Sequence, residues 1–518
     1  MKKLQHIFVT LCLILFAAHT ASAQNNVFWG PTYKSSPGLY ALFYLAGGNS
    51  DNYFMVSRPV NKNELLKFDF NHKLISTSPI DFRFNGAELM FEEFITTKSK
   101  KFGMFSNYDK KAKTFSIQAA ELVGGNFEPI KEVAVQHYIG QYKYIEDVGL
   151  NILGNTDDDA TGSFAISLDK NYVAKIRILS NKESGQADLI SVIVFDENLK
   201  VKWQKLQDFP YNDKKLDIQN FVVNNFGEVF LAITLDLPKM EVEKGLPYYN
   251  YQVVKITDSD FKEYKLNLSG NNVVSTACLF SSPENNDIYI GGFCKDKEKQ
   301  TSGDNCLFFS KLDNATGSLN SKVYPFSKEF LDGMVKNKKI EDGDGIVNFK
   351  IKDFITFSDN TFSFIAEKSY ITYSINALNG SSKTIYNTDE IIIPRFESNG
   401  ELRNLVKLDK YYSSIDILRT SYFMGVKNNK LFLLFNDFKS QDEVIEANKV
   451  VYLKASNNTC TSLAIIDAKG QLESKKTLFT GKETNGFFFP SNSMQFEDKL
   501  LINTSYMMKY RFGTLKLE

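Results

Sequence analysis

Phe221-Val222-Val223-Asn224-Asn225-Phe226-Gly227-Glu228-Val229-Phe230-Leu231-Ala232-Ile233 is two apolar runs joined through a short Asn-Asn-Phe-Gly break. Aromatic and β-branched residues suit the half-buried surface of a pleated strand. Asn and Gly tolerate the positive φ that a tight hairpin turn requires. The stretch therefore predicts a β-hairpin, and the pattern returns along the chain. Leu279-Phe280 leads through 283–287 to Ile288-Tyr289-Ile290. Phe354-Ile355-Thr356-Phe357 leads through Ser358-Asp359-Asn360 to Phe362-Ser363-Phe364-Ile365. Tyr422-Phe423-Met424-Gly425-Val426 leads through Asn428-Asn429 to Leu431-Phe432-Leu433-Leu434. Weaker copies turn near Ser50, Ser99, Lys170 and Asp498, giving eight hairpins about 64 residues apart on average.

A second hairpin follows the first in most units, its strand ending in an acidic or amide turn. Leu66-Lys67-Phe68-Asp69 precedes Lys73-Leu74-Ile75, and Val192-Ile193-Val194-Phe195-Asp196 precedes Lys200-Val201-Lys202-Trp203. Further copies end at Asp258, Asp313 and Asp467, with an imperfect one at Ser374-Ile375-Asn376 before Asn379-Gly380. Two hairpins make four strands, and a four-stranded unit repeated at this period predicts an all-β chain folded as a single β-propeller. Eight blades are expected, with seven the alternative if the weak N-terminal copies are miscounted. The last unit supplies only three strands, near 487–489, 500–502 and 510–517, so Val27-Phe28-Trp29 is expected to add the fourth and close the ring.

The second hairpins resemble the repeat of quinoprotein-like β-propellers, in which an apolar strand ends in Leu-Asp and Thr-Gly precedes the return. Leu312-Asp313-Asn314-Ala315-Thr316-Gly317 carries that resemblance most closely, and Phe195-Asp196 with Trp203 carries it loosely. The family repeats a docking Trp in each blade, whereas this chain has only Trp29 and Trp203. The resemblance implies the fold and gives no warrant for a quinone; no cofactor is expected.

Residues 1–23 read as a cleavable signal peptide: Lys2 and Lys3, an apolar run over 7–18, then Ala21-Ser22-Ala23. That run is shorter than the ~20 residues a membrane anchor needs. Leu11 before Cys12 is not the small residue that lipid attachment requires. The chain from Gln24 onward is expected to be one propeller domain spanning 24–518, periplasmic or secreted, with no transmembrane segment. Of 61 Lys+Arg and 61 Asp+Glu, the signal removes two lysines, which leaves 59 against 61 and a net charge near −2. A nearly neutral chain has no global attraction for nucleic acid or anionic lipid. Four cysteines remain: Cys278, Cys294, Cys306 and Cys460. Cys294 and Cys306 flank a polar segment between two strand-like runs, where a disulfide would close across a hairpin in an oxidising compartment.

Chemistry-bearing residues are sparse. His72 and His137 lie near no nucleophile motif. Two acidic loops are weak calcium candidates, one holding Asp157 and Asp159 and the other Asp342 and Asp344, because calcium takes six to eight oxygens. Ala160 stands where the EF-hand pattern needs Gly. Carboxylates on innermost strands would face the channel, which makes Asp217, Asp353, Glu92 and Glu93 the weak catalytic candidates; a facing pair suits glycoside hydrolysis. Arg83 and Arg419 also precede inner strands. The long connections 238–250, 327–344 and 395–419 hold Tyr248, Tyr249, Tyr411 and Tyr412, and exposed tyrosines on a rigid scaffold suit protein or glycan contacts. These observations lead to a non-catalytic binding or scaffold module for a protein or glycan. The alternatives are a polysaccharide-active hydrolase or lyase and a structural part of an envelope assembly.

Overall fold

The computed structural model describes residues 27–34, 42–48, 51–58, 63–109, 111–137, 142–144, 164–181, 189–209, 216–236, 249–282, 285–298, 303–334, 345–375, 382–438, 459–506 and 509–517. The signal segment and the acidic loops with Asp157, Asp159, Asp342 and Asp344 lie outside them, as does Tyr248.

Among the described residues the strands assemble into eight antiparallel sheets that are the blades of a β-propeller, plus a two-stranded ribbon of Arg83–Phe84 with Ala87–Glu88. In chain order, blades 1 to 7 start on the inner strands Leu42–Gly48, Met90–Thr96, Tyr142–Tyr144 with Phe164–Ile166, Leu216–Val223, Asn272–Ser281, Phe349–Thr356 and Tyr422–Lys427. Blade 8 begins with Phe487–Phe488 and Met494–Phe496, which both pair with Lys499–Tyr506. It continues through Lys509–Lys516 and finishes on the N-terminal strand Val27–Lys34, with Val27 opposite Leu515 and Lys34 opposite Lys509. The expected closure by the two ends of the chain is therefore present.

The strands of each blade are designated A to D from the channel outward. The A–B turns that the described residues cover fall at the predicted positions, and neighbouring turns are tied to one another. The Lys98 amide donates to the Lys170 carbonyl at 3.1 Å, and the Asp169 amide to Asn225 Oδ1 at 3.1 Å. The Asn225 amide donates to Asn286 Oδ1 at 3.0 Å, and the Ser358 amide to Asn429 Oδ1 at 2.8 Å. The Asn-rich turns thus serve twice, once for positive φ and once as links around the ring. Gly227 sits at φ +75°, as the quoted hairpin required.

The core is divided among the blade interfaces. Each neighbouring pair of blades shares one apolar cluster among the described residues. Ile176, Val192 and Val194 of blade 3 pack on Val229, Leu231 and Val254 of blade 4. Tyr53, Leu66 and Phe68 of blade 1 pack on Leu501 and Phe512 of blade 8, so the ring is sealed by side chains as well as backbone. The many phenylalanines fill these wedges: Phe309, Phe362 and Phe396 stack between blades 5 and 6 with centroids 4.9–5.7 Å apart. His72 adds a polar tie at the same seam. It is 2% exposed, with Nδ1 2.9 Å from the Tyr53 hydroxyl and Nε2 3.0 Å from Thr514 Oγ1. Burial holds its pKa down at about 4, so the ring is neutral at pH 7.

Blade 6 differs from the sequence reading. Ser374-Ile375-Asn376 was expected to end a C strand, but Phe362–Ile375 is strand B and Ser382–Phe396 is strand C. The C–D turn lies instead at 397–401, where the Glu397 amide donates to the Glu401 carbonyl and Gly400 takes φ +82°. Residues 395–419 are accordingly the end of strand C, this turn, strand Leu402–Leu408 and the passage to blade 7 rather than one long connection.

Candidate functional site

Five inner strands carry a β-bulge at a similar height. The register slips between Leu45 and Gly47, Phe91 and Phe94, Ile218 and Asn220, Val274 and Thr276, and Ile351 and Asp353. A bulge breaks strict alternation and re-aims side chains, and bulges gather next to functional sites. Three of the four channel candidates, Glu92, Glu93 and Asp353, sit in or beside one.

Glu92 is enclosed by two cations from blade 3. Lys175 Nζ and Arg177 Nη2 both contact its carboxylate, and their side chains are 1% and 2% exposed. Burial works to raise the Glu92 pKa, but the two cations outweigh it and hold the carboxyl below the ordinary range. Lys175 also lies 4.5 Å over the Phe164 ring, and the Arg177 guanidinium 3.7 Å over Phe115. Glu93 has the opposite surroundings. Its Oε1 accepts from the Phe164 amide at 2.6 Å, yet burial pushes its pKa up to about 7.

Asp353 belongs to a chain of polar contacts across four inner strands. Asn220 of blade 4 donates from Nδ2 to Cys278 Sγ of blade 5 at 3.2 Å. Asp353 of blade 6 lies close enough to Cys278 to act on its charge, and burial with that influence lifts the thiol to about 12. The Tyr422 hydroxyl of blade 7 donates to Asp353 Oδ2 at 2.5 Å, while burial raises the Asp353 carboxyl. Asp217 lies on its inner strand opposite Thr234.

A second ionic cluster occupies blade 6. Glu367 is fully buried against Lys410, also fully buried, and Lys352 Nζ lies 2.9 Å from its Oε2. Sequence reasoning missed Glu367 and Lys410, because an isolated charge in an apolar strand gives no sign of its distant partner. The Tyr411 hydroxyl donates to Glu390 Oε1 at 3.3 Å, and Lys368 Nζ is 3.2 Å from Oε2. Burial and the neighbouring Glu390 lift Asp389 to about 6. Tyr412 is 3% exposed and belongs to a short strand, Tyr412–Ser414, that pairs with 386–388. Tyr249 begins strand C of blade 4, opposite Asp236.

Arg419 stacks over Phe487 at 4.5 Å and pairs with Asp416 at 3.1 Å. Arg83 pairs with Asp81 at 2.9 Å on the surface. Cys294 and Cys306 face one another across strands B and C of blade 5 and are disulfide-bonded, with Cα atoms 5.1 Å apart. Among the described residues no group of three or more His, Cys, Asp or Glu side chains is arranged to hold a metal ion. No described helix is long and apolar enough to cross a membrane.

Blade 6 also presents an arm. Its B and C strands have 14 and 15 residues and stay paired from Ser369 opposite Thr388 out to Ile375 opposite Ser382. Strand A stops at Phe349, opposite Lys368. Tyr412–Ser414 flanks strand C at 386–388, so the hairpin runs on as a bare two-stranded ribbon for about its last four residues, roughly 13 Å at 3.3 Å each. Ile371, Tyr373 and Ile375 point to one face of it and are 46%, 69% and 70% exposed. Among the described residues no strand pairs with the edge at 370–375.

No family model matches the chain, and no curated protein matches it. Solved structures do resemble it. An uncharacterized protein from Listeria monocytogenes shares 11% identity at a TM-score of 0.35, covering 81% of this chain and 90% of that one. A polysaccharide lyase shares 10% at 0.33, covering 96% and 98%. Prolyl oligopeptidase B from Galerina marginata shares 9% at 0.39, covering 90% of this chain and 55% of the peptidase. Likenesses at these scores carry no argument about activity.

Proposed function

We propose that the protein is an exported binding module that docks a protein partner on the blade 6 arm. The observation that carries this reading is the stripe of Ile371, Tyr373 and Ile375, standing in solvent on a hairpin that outruns its own blade. A two-stranded ribbon with an apolar face and a free edge is a liability in an isolated protein and a ready template for a partner strand. Export is supported by the N-terminal pattern and by the Cys294–Cys306 bond, since disulfides persist in oxidising compartments. The test is affinity capture from the native envelope, comparing the protein with an Ile371→Asn, Tyr373→Ser, Ile375→Asn variant. The variant is expected to melt at the same temperature and to lose the captured partner. Capture of the same partner at the same yield would overturn the reading.

One observation favours a second reading, a hydrolase or lyase acting on polysaccharide in the channel. Adjacent carboxyls Glu92 and Glu93 are driven in opposite directions, and such divergence is how one site obtains an acid and a base. Against it stands the enclosure of Glu92 by Lys175 and Arg177. Release of reducing or unsaturated sugar ends from a polysaccharide panel, abolished by Glu93→Gln, would favour it over docking.

A further inference from the structure

Blade 8 holds a cleft of about 240 Å³ beside the start of its C strand and the end of the N-terminal strand. Thr32 lies opposite Arg511, and Arg511 opposite Thr504. Two residues along, Lys34 lies opposite Lys509. Residues spaced by two share one face of a sheet, so Lys34, Lys509 and Arg511 put three cations on one face within two neighbouring rungs. Asn485 closes the cleft from the connection between blades 7 and 8, and among the described residues no carboxylate lines it. Like charges directly opposite across an antiparallel pair are destabilising, so the Lys34–Lys509 rung is paired against its own interest unless an anion lies between.

A second observation points the same way. Thr504 lines this cleft, is 1% exposed, and its Oγ1 has no hydrogen-bond partner among the described residues. Buried hydroxyls are ordinarily satisfied, and leaving one unmade is costly. Arg511 is held in place: its Nε donates to the Gly30 carbonyl at 3.2 Å, and its guanidinium lies 5.4 Å over Trp29. The cleft is larger than a single water or a bare oxyanion fills.

We propose that this cleft binds an acidic sugar unit, a carboxylate or sulfate ester carried on a saccharide ring. The charged group sits among Lys34, Lys509 and Arg511, and a ligand oxygen takes the Thr504 hydroxyl proton in a hydrogen bond. Planar and tetrahedral oxyanions both suit the guanidinium fork. The cleft is separate from the arm, so either proposal can fail alone.

The experiment is calorimetric titration of the purified protein at low salt with glucuronate, glucose 6-sulfate, inorganic sulfate and glucose. Saturable binding of at least one acidic sugar is expected, with none of glucose. The Lys34→Gln, Lys509→Gln double variant, whose changes lie on exposed side chains, is expected to weaken it at least tenfold and to flatten its salt dependence. Thr504→Val is expected to weaken it several-fold while leaving the salt dependence in place. A thermal melt of each variant confirms folding, and Lys34→Gln alone serves if the double variant is unstable. Binding unchanged in the lysine variants, glucose bound as well as glucuronate, no binding of either acidic sugar, or inorganic sulfate bound as tightly as the sugars would each overturn the proposal.

Discussion

Glu93 shows how little the identity of a side chain says about its state. Its neighbour Glu92 is held ionised by Lys175 and Arg177, while burial lifts Glu93 itself to about 7. A folded pKa raised above the unfolded value means that the native state binds more protons between about 4.5 and 7. Stability from this group is therefore full below that window and is lost as pH rises through it. A shift of this size is worth ~3 kcal/mol. Glu93→Gln keeps an oxygen for the Phe164 amide and cannot ionise, so it is expected to be more stable than the parent at pH 8 and close to it at pH 4. Urea denaturation at the two pH values checks this; equal stability at pH 8 would refute it. Glu92 and Glu93 were legible as inner-strand carboxylates, because the apolar run around them reads as a strand. Their opposite fates were not, since these depend on a bulge and on cations more than eighty residues away.

Among the elements, the blade 5 hairpin is the most directly readable. Cys294 and Cys306 bracket a polar break, and they pair because that break lets strands B and C place them face to face. With 12 residues of sequence separation, the bond is expected to contribute about 3 kcal/mol by restricting the unfolded chain. The Cys294→Ser, Cys306→Ser double variant is expected to lose that amount in guanidinium unfolding, and an unchanged midpoint would contradict it. Blade 6 shows where such reading fails. A B–C hairpin and a C–D hairpin both present an apolar strand ending in an amide-rich turn, so Ser374-Ile375-Asn376 looked like the wrong one. Only the strand lengths, 14 and 15 residues, separate them, and no turn signal in the sequence encodes those lengths.

At the scale of the whole molecule, the A–B turns carried nearly all the information. Their count gave the blade number, and the shortage of one strand in the last unit pointed to Val27–Lys34. The interfaces follow, because alternating apolar residues on both faces of a sheet must be covered by a sheet on each side. The ionic clusters and the cationic cleft were invisible, since the clusters join side chains of separate strands and neighbouring blades, and only ring closure brings Lys34 to Lys509. Hydrogen exchange is expected to protect 27–34 and 509–516 to the same degree, with His72 linking that seam to blade 1. Rapid exchange over 27–34 beside slow exchange over 509–516 would show that the ring is open in solution.

Closure also sets an order in time. Val27 is made nearly five hundred residues before Leu515, the residue it must pair with. Closing a loop that long costs more entropy than any other contact in the chain, and contacts so distant in sequence form late and slowly. Until they form, the first strand to leave the ribosome waits without a neighbour, and the first and eighth blades both expose an apolar wedge. A chain cut short anywhere in its last blade lacks that partner. It would remain an open arc whose bare apolar wedge is exposed to proteases and chaperones.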